Sequence, residues 1–179
     1  MQAFDSQLWK QRAWDRFGAA LRAGKSKKRA ESDWVLEVIA IVGIEALVGW
    51  CSSKKLNVRF SRHVGATYYP VAKTIVVSKR MTPRRQLMFL IHECGHHLIG
   101  MKEHSERYGM GYPQTSAKMK RTFHHRVSCL EEEMEAWHRG WKLAVRLNID
   151  VDRGEFDRVR LECLRSYIKW SLDPVARGD

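Results

Sequence analysis

Residues 82–99 read TPRRQLMFLIHECGHHLI, and this stretch decides the fold. Thr82 is able to cap a helix, and Pro83 suits its first position, where a missing N–H costs nothing. The apolar run 87–91 carries the helix forward, with Phe89, Leu90 and Ile91 burying one side. His92 and His96 then fall one turn apart on one face, where two imidazole nitrogens can meet a single ion. Gly95 between them allows another element to approach closely. In this H-E-x-x-H arrangement Glu93 is placed to take a proton from a metal-activated water, whose pKa the ion lowers towards ~7. For a chain of this His and Glu content the expected number of chance matches is roughly 0.02, so the helical context is what turns the motif into a site.

A catalytic zinc with three protein ligands needs one more side chain, and the acidic run 131–135 on the next helix (about 127–147) supplies candidates. Helical period separates them. Glu131 shares a face with Glu135, His138 and Lys142, and Glu132 with Glu135 and Arg139; both stripes are polar. Glu133 aligns with Ala136, Trp137, Gly140 and Ala144, small and apolar residues suited to close helix packing. A carboxylate on a buried stripe needs a partner, so Glu133 is the expected third ligand, with Glu132 and Glu135 as the alternatives. His97 points about 100° away from His96 and reads as a packing or surface residue. His124, His125, His138, Tyr108 and Tyr112 are candidates for stabilising an oxyanion, among which the sequence does not choose. Cys94 reads as a small buried spacer.

Working outward, Phe4, Leu8, Trp14, Phe17 and Leu21 recur at helical spacing up to Gly24, and the basic run 25–29 reads as a linker. A second, mostly buried helix is expected from a cap at Ser32 or Asp33 to near Cys51. Residues 57–60 form a strand candidate, and 67–70 with 73–78 a hairpin turning near Pro70, which together predict a small antiparallel sheet. Residues 100–126 make a polar, basic connection of a length that compact domains retain for a functional role. Phe156, Val159, Cys163, Tyr167 and Trp170 mark a last amphipathic helix stopping at Asp173-Pro174.

Seven Trp and six Phe in 179 residues, with 44% hydrophobic content, require a packed core and exclude a disordered or collagen-like chain. The expected class is α+β: mostly helical, one domain, with a small antiparallel sheet. Its parts are an N-terminal helix and basic linker (1–30), a metallopeptidase-like body (31–150) and a C-terminal helix packed on it (151–179). The four cysteines form no C-x-x-C pair and read as buried thiols in a reducing compartment. The stretch 34–50 is apolar but short for a membrane span and carries Glu37 and Glu45, so a soluble cytoplasmic protein is expected. The net charge of +12 is concentrated: residues 47–91 contain nine cations and no acid, a field that attracts an acidic protein partner or nucleic acid.

The HECGHH segment, preceded by strand 74–78 and Thr82-Pro83 and followed by Glu133-Met134-Glu135-Ala136, resembles the ImmA/IrrE-type metallopeptidases and their phage-encoded relatives. Their pattern of H-E-x-G-H followed by E-x-x-A maps onto His92, Glu93, Gly95, His96, Glu133 and Ala136; Trp137 departs from it, standing where Asn is common. The resemblance implies a zinc-dependent endopeptidase, with the small sheet packed on the active-site helix, acting on a protein substrate such as a transcriptional repressor. Together these readings give a Zn2+ site of His92, His96 and Glu133 with Glu93 as base. The alternative is a non-catalytic basic zinc-binding protein that holds nucleic acid or a host factor.

Overall fold

The computed structural model describes residues 5–62, 65–100 and 122–172. Among them are five helices, α1 (Ser6–Arg22), α2 (Lys27–Ser53), α3 (Pro83–Ile99), α4 (Phe123–Arg146) and α5 (Arg153–Leu172), and three strands, β1 (Asn57–Ser61), β2 (Ala66–Tyr69) and β3 (Thr74–Ser78). The mostly helical α+β class is as expected. The chain forms two compact units, residues 1–91 with 144–150 and residues 92–143 with 151–179.

In the first unit, Asp5 caps α1 by accepting from the backbone N–H groups of Gln7 and Leu8 at 3.0 and 3.1 Å. Helix α1 lays Trp9 and Ala13 against Ile41 of α2, with Trp34 and Phe60 closing the cluster. Only Lys25 and Ser26 of the basic run 25–29 lie between α1 and α2; the rest is helical. Helix α2 begins at Lys27, six residues ahead of the expected Asp33 cap, with Ser26 at the capping position. Ala30 is buried, and Lys25, ahead of the cap, reaches Asp33 at 2.7 Å, so Lys27, Lys28 and Arg29 are the polar first turn of a longer helix. At 27 residues α2 is long and apolar enough to cross a membrane by length and composition, and with only 33% of its most apolar window buried it is not the mostly buried helix expected. Both acids that interrupt its apolar stretch face α1: Glu37 pairs with Arg16 at 2.6 Å, and Glu45 accepts from Ser6 at 3.3 Å.

The sheet is mixed rather than antiparallel. Its order is β1-β3-β2, with β2 antiparallel to β3 but β1 parallel to it, Asn57 opposite Thr74 and Ser61 opposite Ser78. Composition explains the order: β3 (TIVVS) is the most buried strand and takes the centre, while the half-polar β1 and β2 take the edges. β1 and β2 run in opposite directions, and β3 forms the hairpin with β2, so inserting β3 between them makes it parallel to β1. Gln86, fully buried on α3, ties helix to sheet by donating to the Ser78 carbonyl at 2.7 Å. Thr82 begins α3 as expected, its carbonyl accepting from Gln86 at 2.9 Å.

The second unit takes α3 from His92 onward, α4 up to Leu143, and α5. α3 and α4 meet at Gly95, where an added Cβ would overlap the backbone carbonyl of Ala136. The close approach expected of this glycine is therefore real. Arg139 of α4 fixes the same crossing by donating to the Leu98 carbonyl at 2.9 Å and to Glu135 at 2.7 Å. Fully buried Trp137 and Phe156 meet edge to face at 5.3 Å. Helix α4 begins at Phe123, so residues 123–126, expected in the connection, are helical. Residues 101–121 of that connection, with Tyr108 and Tyr112, lie outside the described residues, as does the expected stop at Asp173-Pro174.

Candidate metal centre

Helix α3 brings His92 and His96 to one face, ring centroids 4.6 Å apart and Nε2 atoms 3.2 Å apart. Glu133 reaches them from α4, with Oε2 3.2 Å from His92 Nε2 and Oε1 3.4 Å from His96 Nε2. The three residues offer ligand atoms all within 4.8 Å of one another, so they could hold a metal ion. Metal–ligand bonds of ~2.0–2.1 Å at tetrahedral angles place neighbouring ligand atoms ~3.3 Å apart. The observed separations match that spacing. This donor set of two imidazoles and one carboxylate fits a divalent ion.

The electrostatics are those of a cation site. Burial by itself would lower the His96 pKa, but hydrogen bonds to Glu132 and Glu133 and the charges of Glu133 and Glu93 raise it to about 10. Burial would raise the pKa of Glu133, but hydrogen bonds and charge from His92 and His96 hold it well below the usual carboxylate range. Without an ion, a proton on His96 supplies positive charge to the same carboxylates.

The acidic run sorts cleanly. Glu131 is exposed, and Glu135 is engaged by Arg139. Glu132 is not the third ligand of this triad: its Oε1 lies 3.2 Å from His96 Nδ1. Accepting the Nδ1 proton fixes the tautomer that leaves Nε2 free for an ion, a role the sequence did not suggest. His92 is held differently, stacked on Trp137 at 4.3 Å with an interplanar angle of 20°.

Glu93 is buried beside His92, and its charge bears on both His96 and Tyr167. Tyr167, from α5, is the site residue that sequence reasoning missed. Burial first, then the charge of Glu133 and a hydrogen bond to it, push its hydroxyl pKa upward, so it stays protonated and able to donate. Its position on the apolar stripe with Cys163 and Trp170 made it read as core; no sequence signal separates the two roles.

The remaining histidines stand outside the triad. His124 and His138 are exposed, His97 is half-buried, and His125 is buried with Nε2 3.5 Å from Cys129 Sγ and its ring 6.1 Å from Trp170. Cys51 and Cys94 are buried as expected, but Cys129 and Cys163 are only half-buried. Comparison with protein-family models, with curated proteins and with solved structures finds no match to this chain.

Proposed function

We propose that this chain is a zinc-dependent metalloendopeptidase. The observation that supports it best is the convergence of His92, His96 and Glu133 at ligand spacing, with the buried carboxylate of Glu93 next in sequence to the first histidine. A zinc ion held by the three would polarise a water and the peptide carbonyl. Glu93 then accepts the water's proton as it attacks and returns it to the departing amine. Tyr167, whose single O–H otherwise goes to Glu133, turns it to the oxygen on which charge develops. Glu132 keeps His96 in its ligating tautomer throughout.

The substrate in this reading is a protein segment, acidic or borne by a DNA-associated protein such as a repressor. The uninterrupted positive charge of residues 47–91 supports that choice. The same charge supports the second reading, a non-catalytic zinc protein that binds nucleic acid, and salt separates the two: nucleic-acid binding weakens steeply with ionic strength. We propose a cytoplasmic location, which the four free cysteines support.

The deciding experiment replaces Glu93 by Gln. Glu93→Gln should retain zinc, measured by mass spectrometry of the purified protein, and abolish the new cleavage products seen by proteomics of cells making the intact chain. Cleavage that survives in Glu93→Gln removes Glu93 as the base, and zinc content unaffected by His92→Ala and Glu133→Ala removes the metal site.

A further inference from the structure

The two histidines of the triad are oriented by different means. His96 has a hydrogen-bond acceptor for its second ring nitrogen, Glu132 at 3.2 Å. His92 has none: its Nδ1 is buried and finds no hydrogen-bond partner among the described residues. A ligating imidazole without such a partner is free to rotate about its Cβ–Cγ bond unless something else holds its plane, because the partner on the far nitrogen is what ordinarily fixes ring orientation. Trp137 lies almost parallel to the His92 ring, 20° away at 4.3 Å, and is itself fully buried.

The indole is held in its turn. The Phe156 ring meets it edge to face at 5.3 Å, Trp141 lies 5.0 Å beyond Phe156, and the Arg153 guanidinium covers the Trp141 ring at 4.4 Å. A continuous stack thus runs from the surface of α5 to the His92 imidazole. Trp137 also sits four residues after Glu133, on the same stripe of α4, so one helix carries both the third ligand and the plate against which the first ligand rests.

We propose that Trp137 is a positioning residue for metal binding: its flat face, in place of a hydrogen-bonded acceptor, fixes the plane of His92 so that Nε2 points at the ion. This rests on the metal-binding part of the function proposed above and not on peptidase activity. It distinguishes a flat aromatic surface from mere bulk, because a residue that only fills space does not resist ring rotation.

The test uses the full chain and Co2+ as a spectroscopic ion. In the metal-free protein, NMR should show the His92 ring protons, assigned by their loss in His92→Gln, shifted upfield by the indole ring current. Trp137→Phe keeps a flat face and should bind Co2+ within about threefold of wild type with an unchanged visible spectrum. Trp137→Leu should bind roughly 10–100-fold more weakly, the loss typical of a missing outer partner, with an altered spectrum. The proposal is overturned if the His92 protons show no upfield shift, a measurement that stands even if Trp137→Leu fails to fold. It is also overturned if Trp137→Leu binds as wild type does, or if Phe and Leu are equally impaired, which would make the role one of volume. A wild-type chain that takes up no Co2+ sinks the metal reading itself, whereas a wild-type chain that takes it up while Trp137→Leu matches it sinks this inference alone.

Discussion

Replacing Gly95 by Ala should damage both stability and metal binding, from a single methyl group. The added carbon would occupy the space of the Ala136 carbonyl, and that obstacle is backbone, which cannot swing aside as a side-chain tip can. In an unconstrained helix the change would stabilise by about 0.8–1 kcal/mol through propensity alone. Overpacking a tight contact costs about 1–3 kcal/mol, and a rigid obstacle puts this site at or beyond the upper end. The net loss is therefore about 2 kcal/mol, or a fall in Tm of roughly 4–8 °C for a chain of this length. Relief comes only from moving α4 away from α3, which carries Glu133 away from His92 and His96, now at 3.2 and 3.4 Å. Zinc affinity should fall with the Tm. Thermal unfolding by circular dichroism and competition with a zinc chelator measure the two quantities. Gly49→Ala is the control, an exposed position on α2 with nothing within 4 Å of the new carbon, where a gain of up to about 1 kcal/mol is expected. A Gly95→Ala protein as stable as Gly49→Ala, with zinc affinity intact, would refute the close crossing and the placement of Glu133 that depends on it.

Glu132→Ala should weaken zinc binding by roughly 10–100-fold, as loss of an outer partner does, and Glu133→Ala by more; a chelator titration giving the reverse order would make Glu132 the ligand. Zinc uptake at pH 8 should release about one proton, because His96, raised from 6.5 to about 10 in the ion-free protein, must lose its proton to ligate. Calorimetry in buffers of different ionisation enthalpy counts that proton, and the count should drop in Glu132→Ala; no release from the wild type would contradict the assignment. Since the folded-state pKa of His96 lies above its unfolded value, its contribution to ion-free stability is complete below about pH 6.5 and fades as pH rises through about 10. Denaturant unfolding of the metal-free protein should accordingly show stability falling from pH 7 to pH 10, and a rise over that range would count against it. Tyr167→Phe should leave zinc content unchanged and lower turnover by roughly 100-fold or more, the cost of removing one oxyanion donor; undiminished turnover would strike Tyr167 from the mechanism.

What could be read from the sequence was what local periodicity controls. The spacing of His92 and His96 fixes them on one face of any helix, and the stripe through Glu133, Ala136 and Gly140 points towards the neighbouring element whatever that element is. Gly95 and Ala136 were legible for the same reason: small residues at helical spacing mark a crossing. What was not legible depends on long-range pairing. The parallel partnership of β1 with β3 follows from which strand takes the centre of the sheet, and no alternation within 57–61 records that choice. Lys27, Lys28 and Arg29 looked like a linker because cations do not carry an apolar period, yet a helix continues through them once Ala30 has a surface to bury against. Tyr167 was missed as a site residue, and Glu132 was weighed only as an alternative ligand, because each was judged by the face of its own helix. Their meaning lies in an atom on another helix: His96 Nδ1 for one, the Glu133 carboxylate for the other.

The charges at the site argue for an occupant more strongly than its shape does. Glu93, Glu132 and Glu133 all act on His96 as acceptors or negative charges, in surroundings where Glu93 and His92 are buried and the others nearly so. Gathering carboxylates out of water costs several kcal/mol per charge unless positive charge is gathered with them. A proton on His96 supplies one positive charge to this group. A divalent ion supplies two at the point where Nε2 of both histidines and the Glu133 oxygens converge, and it leaves both imidazoles neutral, the form in which they ligate. A divalent ion is thus an occupant that His92, His96 and Glu133 could hold with both charge and spacing satisfied, and Glu93 lies buried beside them, outside the triad.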